Sequence, residues 1–194
     1  TGDVTYLGWS KFKDQITKVV IQDGITNILS ESFNQCANLT SVTIPESVTS
    51  IGHWAFSGCV KLKSITLPEN LASIEMYTFY GCKALTKIVL PDRITKISQH
   101  AFNGCTSLQS VTFPSGLTEI EHNAFSGCTS IRELHFPATL AVLGDYAFSG
   151  CTSLLKIYFY GNVPKVNNFT FKDVYATAYY PPGNLSWISG GMKF

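Results

Sequence analysis

The chain has 194 residues, 45% of them hydrophobic and only 14% charged, with a formal net charge of +1. Balanced charge without a basic run or stripe excludes the electrostatic footprint of a nucleic-acid binder, and no apolar run approaches the ~20 residues that span a bilayer. The charged fraction is well under the usual quarter, so the surface is built largely from Ser, Thr, Asn, Gln and Gly.

In chain order, residues 1–15 precede the repeats, and Gly2–Phe12, with Trp9 and Phe12, is expected to form an amino-terminal cover. From residue 16 to 175 a Phe-x-x-Cys pair returns every 23 residues, six times in register: Phe33/Cys36, Phe56/Cys59, Phe79/Cys82, Phe102/Cys105, Phe125/Cys128 and Phe148/Cys151. Phe171 keeps the beat, with Val174 where the next Cys would stand. A fixed period of this length means one small supersecondary unit stacked on copies of itself, a single solenoid of about seven coils. Residues 176–194 form the carboxyl-terminal cap, from Tyr179-Tyr180-Pro181-Pro182 through Trp187 to Phe194.

One coil, Leu62 to Leu85, shows the logic. Leu62, Ile65 and Leu67 fall at the spacing of a short strand with alternate residues in the core. Pro68 lacks an N–H and ends the strand, a role repeated by Pro45, Pro91, Pro114 and Pro137. Leu71 and Ile74 point inward on the return path, and Phe79 plugs the interior near a tight turn. Gly81, like Gly58, Gly104, Gly127 and Gly150, suits a positive φ. The short Ala-Phe segment predicts a 3-10 or single-turn helix, and the stacked strands predict one parallel sheet with ~4.8 Å spacing. In the terminal coils Gln22 and Tyr160 replace the proline.

The string Ala101-Phe102-Asn103-Gly104-Cys105-Thr106-Ser107-Leu108 through Val111-Thr112-Phe113-Pro114 resembles the BspA-like, Treponema-type leucine-rich repeat, and the likeness extends over roughly residues 16–175. It implies an α/β repeat solenoid, right-handed and curved, with its parallel sheet on the concave face and short helical turns and loops opposite. It further implies a secreted or cell-surface protein of host-associated bacteria, some relatives being adhesins for host matrix proteins. No catalytic, cofactor or metal residue carries over from the family. The opening Thr1 reads as a piece of a longer precursor, with its signal and anchor outside this segment.

Six cysteines would suggest three disulfides, but equivalent positions on neighbouring coils have parallel Cβ vectors, which fit the ±90° dihedral poorly. A buried ladder of free thiols is expected instead. A linear ladder also does not converge on a metal. His53, His100 and His122 lie on the turn side as solvated residues, and no nucleophile elbow, Cys-His pair or phosphate loop is present. The chain is therefore read as a non-catalytic monomer without cofactor.

The outward strand positions are Lys18/Val20, Ser41/Thr43, Ser64/Thr66, Lys87/Val89, Ser110/Thr112, Glu133/His135, Lys156/Tyr158 and Tyr179/Pro181. The first five pairs make a flat, weakly charged strip of residues that suit exposed strands. Glu133, His135, Lys156, Tyr158 and Tyr179 then bring charge and aromatic surface together, the composition of an interface anchor. The simpler reading pairs Glu133 with Lys156 across the strands, worth about a few tenths of a kcal/mol. The leading functional reading is recognition of an extracellular protein or glycan, host matrix proteins included; the alternative is a rigid spacer within a larger surface protein.

Overall fold

The structure, a computed structural model, describes residues 2–4 and 10–189. Each coil crosses two strand columns and one turn column before the chain steps on to the next. The short strands of the return column are β1 (Gly2–Val4), β3 (Ile25–Ile28), β5 (Ser50–Ile51), β7 (Lys96–Ile97), β9 (Glu119–Ile120) and β11 (Val142–Leu143). The main column holds β2 (Lys18–Val20), β4 (Ser41–Thr43), β6 (Lys87–Val89), β8 (Ser110–Thr112), β10 (Glu133–Phe136), β12 (Lys156–Phe159) and β13 (Thr177–Tyr179). All pairings are parallel, and most join residues 23 apart, as in Lys87↔Ser110 and Lys96↔Glu119.

The return column is an addition to the single sheet expected from the sequence. Leu71, Ile74, Ile94, Ile97 and Ile120 there are fully buried, as their spacing required. Ile74 and Lys165 extend this column as isolated bridges to Ile97 and Val142. The main column is less continuous than expected. Ser64–Thr66 forms no strand, and residues 64–67 donate no backbone hydrogen bond among the described residues. Nothing in the local sequence, which keeps Leu62, Ile65 and Leu67, sets this coil apart.

The turn column corrects a second expectation. The Ala-Phe segment is a run of turns, and the described helices are a 3-10 turn at Ser10–Phe12 and α1 (Leu185–Ser189). The cause lies in where the N–H groups go. Ser57 and Cys59 donate to Trp54 and Phe56 within the turn, at 3.1 and 3.2 Å. Trp54, Phe56 and Gly58 donate to Met76, Thr78 and Tyr80 of the next coil, at 3.1, 2.9 and 2.7 Å. A helix would keep every donor local; here alternate donors run along the solenoid and form a third ladder.

Two positions per turn take positive φ. One is the expected glycine column, Gly58 to Gly150, at φ 66 to 73°, closed at its ends by Gln35 and Asp173. The other, four residues earlier, was not anticipated because glycine is absent from it: Glu31, Trp54, Tyr77, His100, Asn123 and Tyr146, at φ 55 to 62°. For bulky residues this backbone is a true outlier, of order 1–3 kcal/mol each.

The core is two aromatic stacks among aliphatic columns. Phe33, Phe56, Phe79, Phe102, Phe125, Phe148 and Phe171 follow one another with ring centroids 5.0 to 5.7 Å apart. Phe113, Phe136 and Phe159 form the shorter stack, at 5.4 and 5.2 Å. All six cysteines are buried and free. Each thiol from Cys59 to Cys151 lies 3.2 to 3.3 Å from the carbonyl of the Phe one coil back, an oxygen that also accepts the N–H of its own coil's Cys, as Phe56 does from Cys59 at 3.2 Å. The Phe-x-x-Cys spacing thus ties each coil to its predecessor with a donor small enough to leave the ring stack undisturbed. Burial holds the thiols neutral, raising Cys105 and Cys151 to about 12 and lifting Cys59, Cys82 and Cys128 as well.

At the carboxyl end Tyr180 stacks on Trp187 at 5.0 Å. Trp187 packs on Phe159 at 4.8 Å and donates to the Gly161 carbonyl at 3.1 Å. Trp187 is buried, as a closing residue must be. Trp9 and Phe194 lie outside the described residues; Phe12 is 53% exposed.

Phe102→Ala removes a ring from the middle of the stack and should cost ~3–5 kcal/mol through cavity formation, read as a lower denaturation midpoint; a variant that melts with wild type would place this column elsewhere. The thiols should resist modification in the folded protein and react together on denaturation. Above about pH 8.5 the unfolded chain sheds thiol protons that the folded chain retains, so the unfolded state binds fewer protons. Stability should therefore fall as pH rises from there toward about 12 for Cys105 and Cys151, by ~1.4 kcal/mol per unit for each withheld thiol. A pH-independent denaturation midpoint across that range would contradict the buried ladder.

Candidate functional site

The outward residues of β10, β12 and β13 form the most aromatic part of the main strand face. β10 and β12 pair in the 23-residue register, with Glu133↔Lys156 and His135↔Tyr158. The last step is two residues short: Lys156 pairs with Thr177 and Tyr158 with Tyr179, 21 apart. This corrects the expected columns, in which Tyr179 followed Lys156 and Pro181 followed Tyr158. The shortening falls between Val174, still 23 after Cys151, and Thr177.

The shift brings Tyr179 into the column of His135 and Tyr158, and the three form one stack. His135 and Tyr158 lie 4.5 Å apart with planes at 10°, and Tyr158 and Tyr179 lie 4.7 Å apart at 14°. His135 and Tyr179 remain exposed, and Tyr158 between them is half-buried. Tyr160 completes the group, its hydroxyl 2.7 Å from His135 Nδ1. It stands where earlier coils carry proline, and strand alternation places it outward beside Tyr158. The exchange of Pro for Tyr at this position is the signal for it in the sequence.

Glu133 Oε1 lies 3.7 Å from His135 Nε2. Although Glu133 and Lys156 are register partners, no ion pair joins them among the described residues, which removes the expected cross-strand bridge. The carboxylate instead sits at the edge of the imidazole whose other nitrogen meets the Tyr160 hydroxyl. In the tautomer that places the proton on Nε2, Nδ1 accepts from the Tyr160 hydroxyl and the Nε2–H faces Glu133. Of the five residues singled out from sequence, Glu133, His135, Tyr158 and Tyr179 converge, while Lys156 lies exposed alongside. The group presents ring edges, a hydroxyl, an imidazole and a carboxylate, which can pack against and hydrogen-bond a partner surface.

The remaining histidines lie on the turn side. His53 Nδ1 is 3.9 Å from Glu75 and His122 Nε2 is 3.9 Å from Asp145. Among the described residues no three His, Cys, Asp or Glu side chains gather as metal ligands, and no helix is long and apolar enough to cross a membrane.

The BspA type Leucine rich repeat region matches in six copies, over residues 7–92 and 72–190. The chain belongs to this family. No curated protein matches it. Among solved structures, a leucine-rich repeat protein of T. pallidum is 31% identical, with a TM-score of 0.68 over 82% of this chain and 79% of that one. A leucine-rich cell surface protein of Faecalibacterium prausnitzii is 25% identical, with a TM-score of 0.59 over 89% of this chain and 62% of that one. The pneumococcal vaccine antigen PcpA, 15% identical with a TM-score of 0.54 over 85% of this chain and 57% of that one, shares the fold. The parallel-strand solenoid of a BspA-type repeat protein is thus the scaffold that carries the His135–Tyr158–Tyr179 stack.

Parallel stacking of such rings contributes ~0.5–1.5 kcal/mol beyond area burial. A double-mutant cycle of His135→Ala and Tyr158→Ala should return a coupling energy in that range; zero coupling would mean that the rings lie side by side without holding one another.

Proposed function

We propose that this chain is a non-catalytic recognition module, secreted or displayed at a cell surface, that binds an extracellular protein or glycan through the β10–β12–β13 face. The observation that carries this reading is the exposed stack of His135, Tyr158 and Tyr179, fringed by Glu133, Tyr160 and Lys156. Rings held by their neighbours lose little conformational freedom on binding, so more of the contact energy survives as affinity. Aromatic residues with a polar tip are also the usual anchors of interface hot spots. The contrast along the same face supports the location. Further back the outward residues are Ser, Thr, Val and Lys, without rings.

Surface display rests on family membership and on the description of the F. prausnitzii relative as a cell surface protein. Host matrix proteins are one partner class that fits this setting, and adhesion to a host would be the biological role. A rigid spacer is the competing reading, favoured by the continuous turn-column hydrogen bonds that stiffen the array.

The test is binding of the immobilised chain to a panel of matrix proteins and glycans, beside a Glu133→Ala/His135→Ala/Tyr158→Ala variant. Recognition predicts a partner whose binding the triple variant loses while its melting curve stays cooperative. Equal binding by both proteins would move the site elsewhere, and no partner across the panel would favour the spacer.

A further inference from the structure

No basic run marks the sequence, yet the 23-residue register builds a basic band. The main strand positions and the residues leading into them are 14–20, 37–43, 60–66, 83–89, 106–112, 129–135 and 152–158. Of the 14 Lys and Arg and 13 Asp and Glu of the chain, seven bases fall in these stretches against two acids, Asp14 and Glu133. The bases are Lys18, Lys61, Lys63, Lys83, Lys87, Arg132 and Lys156, all exposed. Backbone bonds stack the coils here: Thr86 and Leu155 donate to the Lys63 and Arg132 carbonyls at 3.2 and 2.9 Å. Lys18, Lys87 and Lys156 share one strand position. Seven coils at strand spacing make the band about 29 Å long. Among the described residues none of the seven bases pairs with a carboxylate; Lys61 donates to the Asn38 amide oxygen at 2.7 Å. At the other end of the same strands the charge reverses. Asp23, Glu46, Glu69 and Asp92 form an exposed column just after Gln22 and the strand-ending prolines, where the Glu69 N–H donates to the Glu46 carboxylate at 2.9 Å. The net charge of +1 therefore conceals two opposed edges.

We propose that this entry edge is a binding band for a linear acidic polysaccharide, a surface separate from the His135–Tyr158–Tyr179 stack. A polyanion laid along the solenoid axis meets bases on successive coils, and such contacts add up along a repeating ligand. The acidic column, about 15–20 Å further along the chain path of each coil, keeps the ligand on this edge. Arg132 supplies the most defined seat. With Gln109, Ser130 and Ser153 it lines a polar groove of about 430 Å³. There its guanidinium can take a carboxylate or sulfate in forked geometry, while the amide and hydroxyls meet sugar hydroxyls. The neighbours of the bases decide between polyanions. From Lys18 to Arg132 these stretches are rich in Ser and Thr and hold no aromatic ring, so nucleic-acid bases find no platform for stacking. The rings run along the turn edge instead, where Trp54, Tyr77 and His100 stack at 3.9 and 4.6 Å.

The test is fluorescence anisotropy of end-labelled heparin and hyaluronan dodecasaccharides, and of an oligothymidylate of similar length, titrated with the whole chain between about 50 and 200 mM salt. Wild type should bind at least one glycan, and more tightly than the oligothymidylate; the preferred glycan tells sulfate recognition from carboxylate recognition. Lys61→Ser/Lys63→Thr/Lys83→Thr installs residues that other coils carry at those positions, so the coils keep their packing. It should weaken binding about tenfold or more and reduce the salt slope by about 2 to 3. Arg93→Ser/Lys165→Ser/Lys172→Ser removes the same charge from outside the band and should bind as wild type does. No binding to either glycan, no loss in the band variant, or equal loss in both variants overturns the proposal. Oligothymidylate binding as tight as that of the glycans, or tighter, overturns it in favour of a nucleic acid. These substitutions leave the strand-face stack untouched, so a partner panel that fails there leaves this result standing.

Discussion

The parallel 23-residue register is the constraint from which the rest of this molecule follows. Because the coils from β2 to β12 keep this register, each side-chain column among them is a ladder of equivalent positions at strand spacing. Three sets of inter-coil hydrogen bonds hold that register: the main strands, the short return strands, and the alternate N–H groups of the turns. The turn set explains the Phe-x-x-Cys signature. The Phe carbonyl accepts from its own coil's Cys N–H and from the next coil's thiol, so ring, turn and thiol are fixed together. No coil can bury its apolar face alone, and cohesion therefore resides in the interfaces between coils.

A ladder of identical register treats aromatic residues in a particular way. Rings in one column stack face to face and spend their faces on one another, which is why the interior Phe column is stable and the outer columns offer mainly edges. A column of rings is interrupted only where another residue type enters it or where the column ends. The strand-face stack ends at His135 and Tyr179, and the turn-edge stack is broken at Asn123. The positive-φ residues of the turn edge cost backbone energy that stacking and the inter-coil N–H bonds offset. Asn123, whose short amide side chain tolerates this backbone, carries the least strain.

On the strand face His135 meets the Tyr160 hydroxyl, stands 3.7 Å from the Glu133 carboxylate and stacks on Tyr158. A BspA-type array can carry such a group because its outward residues are free of the packing demands that fix its core.

Period, coil number, core columns and the free-thiol ladder were legible in the residues, since burial and spacing are properties each coil states alone. Pro68, Gly81, Phe79 and Leu71 could be placed from one coil because their roles are local. The return strands, the turns in place of a helical turn, and the tightening of the last step to 21 residues were not, because each depends on which neighbour a backbone group meets. The same is true of the candidate sites. Glu133, His135, Tyr158 and Tyr179 were visible as a composition, but Tyr179 was assigned the wrong neighbour until pairing set its register, and Tyr160 was invisible as a partner of His135. The turn-edge stack had no glycine to mark its positive φ. The sequence by itself determined what each coil buries; only the tertiary structure decided which exposed side chains meet, because such contacts are fixed by the register between coils rather than by the order of residues within one.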